Sequence, residues 1–168
     1  MKKILLFLIL LTSFSYANLF DSPIKLKDIS NKLPELKSIK CKFKQEKYLK
    51  NIQKPIISSG DFEFIENEGV FFYTKYPIES KTDFTNEKYK QINYIIKAIS
   101  NKNYSKLENE FNFYYEGKIS DWSLGLKPKK NSQTYDYISS ISIKGTNFIN
   151  KIIISQTNGN ETIIWFTK

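Results

Sequence analysis

Hydrophobic and polar positions follow two different periods along this chain, and the period changes near residue 38. Between residues 19 and 36 the apolar side chains approximate helical spacing, which predicts an amphipathic N-terminal helix. Pro23 suits its first turn, and Pro34 breaks or kinks it near its end. At residues 39–45 the odd positions are mostly apolar and the even positions are all Lys up to Lys44, which predicts a strand with one face in solvent.

The rest of the chain continues mainly as short alternating stretches separated by turns. The spacing of Ile92, Ile95, Ile96 and Ile99 is the exception and predicts a helix at residues 93–100, with a helical or turn-like link following it. Further strands are predicted at residues 58–64, 70–75, 78–85, from 88, and at 111–115, 122–126, 135–144, 148–155 and 162–167. The expected fold is mainly β with helices, in which about nine or ten antiparallel strands form one large curved sheet or barrel.

The alternation also predicts which side chains point inward. They are large and mostly aromatic or β-branched, and such residues either fill an ordinary core or line a cavity for a lipid chain. Core and cavity walls use the same residue types, so both interpretations remain open. The candidate cavity residues are Phe43, Phe62, Phe64, Val70, Phe72, Phe84, Phe113, Trp122, Leu124, Ile141, Ile143, Ile152 and Ile154.

The first 17 residues form a pattern of their own that predicts export. Lys2 and Lys3 precede an unbroken apolar run at residues 4–11, and Ser15 and Ala17 place small residues where a signal peptidase reads them. An uncleaved anchor is the alternative, but the run is shorter than the roughly 20 residues that a membrane span needs. We expect cleavage after Ala17 and a single domain at residues 18–168.

The amino-acid composition argues against several kinds of function. The net charge is +9, there is no His, and every basic residue is Lys. The commonest general base and metal ligand is therefore absent, as is the Arg side chain that reads guanine edges. Glu66 and Glu68 flank a turn glycine and are expected to be solvated. We therefore expect no enzyme activity, no cofactor, no metal and no nucleic-acid partner.

The lysines and the single cysteine each allow two interpretations. Lysines occupy the outward positions of nearly every predicted strand, which is typical of a solvated face, although they would also attract anionic lipid headgroups. Cys41 lies in the alternating run at residues 39–45 and is interpreted as a small, buried apolar residue. A reactive thiol is the alternative, because nearby lysines lower the pKa of a thiol.

Several weak motifs, taken in their order, resemble the LolA-type outer-membrane lipoprotein carriers of Gram-negative bacteria. Phe43-Lys44-Gln45 resembles the Phe-x-Gln signature of the first strand in that family. The stretches at 59–62 and 69–77 resemble its Gly-containing hairpin that ends in Pro, with Phe72 where Trp is usual. Residues 121–128 resemble its Leu-x-Pro-Lys strand, and 158–162 with Phe166 resemble its closing hairpin.

This resemblance implies an incomplete, curved antiparallel β-barrel closed by a helical lid over a hydrophobic cavity. It implies a monomeric periplasmic carrier that takes lipoprotein acyl chains, or another lipid, from an inner-membrane donor complex to an outer-membrane acceptor. Opening of the lid would expose apolar surface and allow release of the cargo. The residues assigned to that lid are Leu19, Phe20, Ile95, Ile96 and Ile99.

The same resemblance leaves the cargo open. Residues 66–68 lack the Arg that tethers the lid in the best-known carriers, and the segment 95–107 looks more like LolA-related paralogues that handle other lipids or glycolipids. A non-catalytic interaction module with a filled core is a second hypothesis. An enzyme of lipid or cell-wall metabolism is a third, and it would require a polar cluster inside the cavity, for which Gln45 and Ser80 are the few candidates.

Overall fold

The structure is a computed structural model of the 168-residue chain and describes residues 18–34, 37–66, 68–82, 87–100 and 105–168. The expected signal peptide at residues 1–17 lies outside the described residues, as does the candidate cavity residue Phe84. Asn67 of the first predicted turn and Tyr104 of the predicted link lie outside them as well.

Most of the described chain forms one antiparallel sheet of nine strands. The strands are β1 Ile39–Tyr48, β2 Ile56–Ile65, β3 Gly69–Tyr76, β4 Ser80–Thr82, β5 Phe111–Lys118, β6 Asp121–Pro128, β7 Ile138–Gly145, β8 Ile149–Gln156 and β9 Glu161–Thr167. Their order across the sheet is β4-β3-β2-β1-β9-β8-β7-β6-β5. Among the described residues β4 and β5 are its two edges and do not pair, so the sheet is not closed. The mainly β fold is therefore confirmed.

The predicted alternation divides the sheet into an inner face, which carries the core, and an outer face. Phe43 of β1, for example, lies opposite Gly60 on one side and Phe166 on the other. The predicted inward residues that the structure describes are buried, apart from Ile154, which is partly buried and packs against the core. The buried ones are Phe43, Phe62, Phe64, Val70, Phe72, Phe113, Trp122, Leu124, Ile141, Ile143 and Ile152.

The region after β3 differs from the prediction. In the described residues β4 is shorter than the predicted strand 78–85, and the strand predicted from Lys88 is wrong, because helix α2 spans Glu87–Ser100. This stretch has no Gly or Pro, and Ile95, Ile96 and Ile99 form one buried face of the helix. A short helix, α3, follows at Ser105–Glu110 and leads into β5.

The N-terminal segment also differs. In the described part of the predicted helix at residues 19–36, only the four residues of α1, Leu26–Ile29, are helical. The reason lies at the edge of the sheet, where Ile24 is extended and forms a β-bridge with Phe113 of β5. The Ile24 amide donates to the Phe113 carbonyl at 2.8 Å. An edge strand offers unpaired backbone groups, and here they hold the segment in a non-helical conformation.

Close contact between Trp122 and Gly145 fixes the pairing of β6 with β7. Trp122 is fully buried and donates its indole N–H to the Thr146 carbonyl oxygen at 2.7 Å. A Cβ atom placed on Gly145 would overlap the Trp122 ring and approach the Phe148 carbonyl oxygen to 2.5 Å. A residue with a side chain therefore does not fit at position 145 while the indole ring of Trp122 lies beside it.

We expect Gly145→Ala to lower the free energy of unfolding by about 1–3 kcal/mol, because an added methyl group in a filled core forces its neighbours to move. Urea denaturation followed by tryptophan fluorescence measures the change. Ser142→Ala on the outer face of the same strand is the control and should alter stability little. Equal stability of the wild type and Gly145→Ala would contradict the position of Trp122.

Candidate functional site

An apolar pocket of about 210 Å³ opens at one end of the inner face. This is the end at which β1 begins and β9 ends. Its apolar wall comprises Ile39, Phe62, Phe64, Ile96, Ile149 and Phe166. Ile96 comes from α2 and the other five from the sheet, so the pocket lies between the helix and the sheet.

The pocket exists because the first residues of β1 have no partner on β9. The β1–β9 ladder in the described chain begins at Lys42 opposite Thr167, whereas the β1–β2 ladder begins at Ile39 opposite Phe64. Ile39 and Cys41 therefore project beyond the end of β9 on the inner face. The wall behind them is closed by rings, since the centroids of Phe62 and Phe166 are 4.6 Å apart.

Four exposed polar residues form the mouth of the pocket: Lys37, Ser38, Asn147 and Lys168. The Ser38 hydroxyl accepts the Glu66 amide at 3.0 Å, which attaches this side of the mouth to the turn after β2. The Lys168 ammonium lies 5.0 Å from the centre of the Phe148 ring, which also lines the pocket. The site therefore combines an apolar interior with a polar, lysine-containing entrance.

The size of the pocket limits what it holds. It is larger than the apolar cavity of about 150 Å³ that accommodates benzene in another protein. It is smaller than the roughly 300–1,000 Å³ of pockets for drug-sized ligands. In this conformation the pocket has room for part of an acyl chain.

Most of the candidate cavity residues do not line this pocket. Phe62 and Phe64 do, whereas the other described candidates form the core away from it. Phe72, for instance, has no exposed surface, and its ring packs edge-on against Phe43 and Phe62 with centroid distances of 5.1 Å each. The structure therefore combines the two interpretations of the inward residues, with a filled core over most of the face and a small pocket at one end.

The lid residues separate into two groups. Ile95, Ile96 and Ile99 lie on α2 and are buried, with Ile96 in the pocket wall. Leu19 and Phe20 lie in a turn outside any helix. The Phe20 ring packs edge-on against Tyr114, with centroids 5.3 Å apart.

That position of Phe20 corrects its assignment to a lid over the inner face. A Cβ atom on Gly125 would lie 2.6 Å from the Phe20 ring, and the Lys127 ammonium is 4.8 Å from its centre. Gly125 and Lys127 alternate with the buried Leu124 and Leu126, so the ring covers the outer face. The chain reaches the inner face only after passing the β5 edge at Ile24.

Several residues of the pocket were not among the predicted cavity residues, namely Ile39, Cys41, Phe148, Ile149 and Phe166. Ile39 and Cys41 share the parity of Phe43, and the alternation indicates that both face inward. Their place in the pocket depends on where β9 ends beside them, and alternation within one strand contains no information about that register.

Comparison with family models and with curated protein sequences finds no match to this chain.

Charges near the pocket are distributed unequally between the two faces. Asp61 on the outer face bonds to both Lys42 and Lys75, which holds the pKa of its carboxyl below the usual value, and Lys40 pairs with Glu63 at 2.8 Å. These residues border a broader, open depression of about 620 Å³, which Cys41, Phe62 and Lys168 of the pocket also line. Because its charged side chains are largely bonded to one another, this depression offers a ligand fewer free groups than the pocket does.

Two absences apply to the described residues. No three His, Cys, Asp or Glu side chains among them lie close enough together to hold a metal ion. In the same part of the chain, no helix has the length and apolar character needed to cross a membrane.

Cys41 lies in the wall of the pocket, so the pKa of its thiol depends on the environment there. It is half-buried, and burial raises the pKa of its thiol to about 11, while the nearby Lys168 ammonium acts in the opposite direction. The expected small apolar role on a strand agrees with this environment. The raised pKa favours the neutral thiol over the thiolate.

We expect a maleimide to label Cys41 in the folded protein at pH 7 about a hundredfold more slowly than in the urea-unfolded chain. The thiolate is the nucleophile, and a pKa higher by about two units leaves about a hundredth as much of it. The labelling rate should rise about tenfold per pH unit between pH 7 and 9. Because Cys41 is the only cysteine, mass spectrometry measures the rate directly. A folded rate equal to the unfolded one would show that the thiol does not lie in the pocket.

Proposed function

We propose that this chain is an exported, periplasmic lipid-binding protein of the LolA-like type that receives an acyl chain in the pocket at the end of the inner face. The observation that carries this proposal is the apolar pocket between α2 and the sheet, with Phe62, Phe64 and Ile96 in its wall. Its cargo would be the acyl chains of lipoproteins or of another lipid. In this proposal residues 1–17 are removed on export, and the protein catalyses no reaction.

The positions of the motifs support the resemblance. Phe43-Lys44-Gln45 lies on β1, residues 59–62 and 69–77 belong to the β2–β3 hairpin and its end, and residues 121–128 form β6. Phe166 lies on β9. A single antiparallel sheet with a helix packed on its inner face is the arrangement from which a lid over a cavity could be built.

Transport requires the pocket to open further. Each buried methylene contributes about 0.8 kcal/mol, so about five of them would contribute about 4 kcal/mol, equivalent to a Kd on the order of 1 mM. In this proposal α2 moves away from the sheet to admit a longer chain. The movement exposes Ile95, Ile96 and Ile99, and that cost offsets part of the binding energy and permits release to an acceptor.

A non-catalytic interaction module is the second candidate, and the filled core favours it. Trp122, Phe72, Leu124 and their neighbours leave most of the inner face without space for a ligand. In that case the small pocket would be a packing defect at the end of the sheet.

Cys41→Phe distinguishes these functions, since the added ring occupies the pocket from a half-buried position. We expect wild-type protein, exported in a Gram-negative host and purified without detergent, to contain lipid detectable by mass spectrometry. Cys41→Phe should bind a fluorescent fatty acid at least about tenfold more weakly. Phe72→Glu is unsuitable, because a charge at this fully buried position would unfold the protein.

Cys41→Ala is the matched control, since it removes the thiol but leaves the space open, and it should retain binding. Circular dichroism and thermal unfolding establish that both variants are folded. A folded wild type that contains no lipid and takes up no fatty-acid probe would contradict the proposal and favour the interaction module.

A further inference from the structure

Two lysines bring positive charge to the mouth of the pocket. Lys37 and Lys168 both line it, and no Asp or Glu side chain of the described residues does. Within the described residues neither lysine forms an ion pair with an acidic side chain. On the outer face, by contrast, Lys40, Lys42 and Lys75 are bonded to carboxylates.

The charge of Lys168 acts inside the pocket as well as at its rim. Its ammonium is held over the Phe148 ring, at 5.0 Å from the centroid, and Phe148 is part of the pocket lining. The same ammonium lowers the pKa of the Cys41 thiol in the wall, against the larger effect of burial. A negative group at the entrance would therefore meet the positive charge of both lysines.

We propose that the ligand is an anionic amphiphile, whose apolar chain enters the pocket and whose carboxylate or phosphate oxygens bind Lys37 and Lys168. This inference rests on the proposed lipid-binding function and specifies the chemical class of its ligand. The two lysines select for the charge, and the apolar wall selects for the chain. An anionic headgroup would favour the lipid-binding alternative among LolA-like proteins over the transport of lipoproteins.

Three probes with the same chain test this inference, namely decanoate, decyl phosphate and decanol. Calorimetric titration and protection of Cys41 from maleimide both measure the affinity. Each lysine near an anionic group contributes about 1 kcal/mol, or about fivefold in affinity. We therefore expect either anion to bind about 25-fold more tightly than decanol. The relative affinity of decanoate and decyl phosphate distinguishes a fatty acid from a phospholipid source.

Lys37→Gln and Lys168→Gln should each weaken binding of the anions about fivefold and leave binding of decanol unchanged. Lys130→Gln, at an exposed lysine in the turn after β6, is the matched control and should change neither. Higher salt should weaken binding of the anions in the wild type and have less effect in the lysine variants. At constant ionic strength, inorganic phosphate alone should compete only weakly, because it lacks the chain.

The outcomes separate this inference from the proposed function. Equal affinity for decanol and the two anions, unaffected by either lysine substitution, would overturn the anionic preference while supporting binding of an apolar chain. Failure of all three probes to bind folded wild-type protein would overturn both. Inorganic phosphate that competed as strongly as decyl phosphate at constant ionic strength would also overturn the inference, since the pocket would then have no part in recognition.

Discussion

The structure depends on the pairing of β1 with two neighbours that lie far apart in the sequence. β1 joins β2, which follows it directly, and β9, the last strand. Its ladders unite the two halves of the sheet, and the inner face becomes continuous through Phe43 and its partner Phe166. The two ladders begin at different residues of β1, and the pocket is formed by this difference. The same strand therefore holds the core together and leaves one end of it incompletely filled.

Which side chains of a strand face inward was predictable, because the alternation of inward and outward residues is a local property of the strand. The outcome for Cys41 and Phe64 illustrates this, since both face inward as their neighbours in the sequence require. The N-terminal helix was not predictable in the same way, because Ile24 is held by a backbone bond to Phe113 of an edge strand far along the chain. The start of α2 was missed because residues 87–92 are mostly polar and contain no long apolar pattern. The pocket depends on register between distant strands, which no local pattern encodes.

The lysines have different environments despite their uniform appearance in the sequence. Asp61 and Glu63 neutralise several on the outer face, and others lie against rings, such as Lys44 and Lys151 beside Trp165 at 5.8 and 5.3 Å from its centroid. Ion pairs of this exposed type contribute little to stability, about 0–1 kcal/mol each, but they reduce the local potential. The count of 26 lysines therefore overstates the positive potential of the outer face.

Helix α2 couples the pocket to the core, and this coupling sets the cost of enlarging the pocket. Ile96 lies in the pocket wall, while Asn93, one turn earlier, accepts the Val70 amide of β3 at 3.2 Å in a buried position. A movement of α2 that widens the pocket would break this bond and leave two buried polar groups unpaired, at about 1–3 kcal/mol. That cost is similar to the gain from burying about one to four methylenes. A ligand must therefore insert a longer chain than this before opening becomes favourable, so short apolar molecules would bind only in the pocket as it stands.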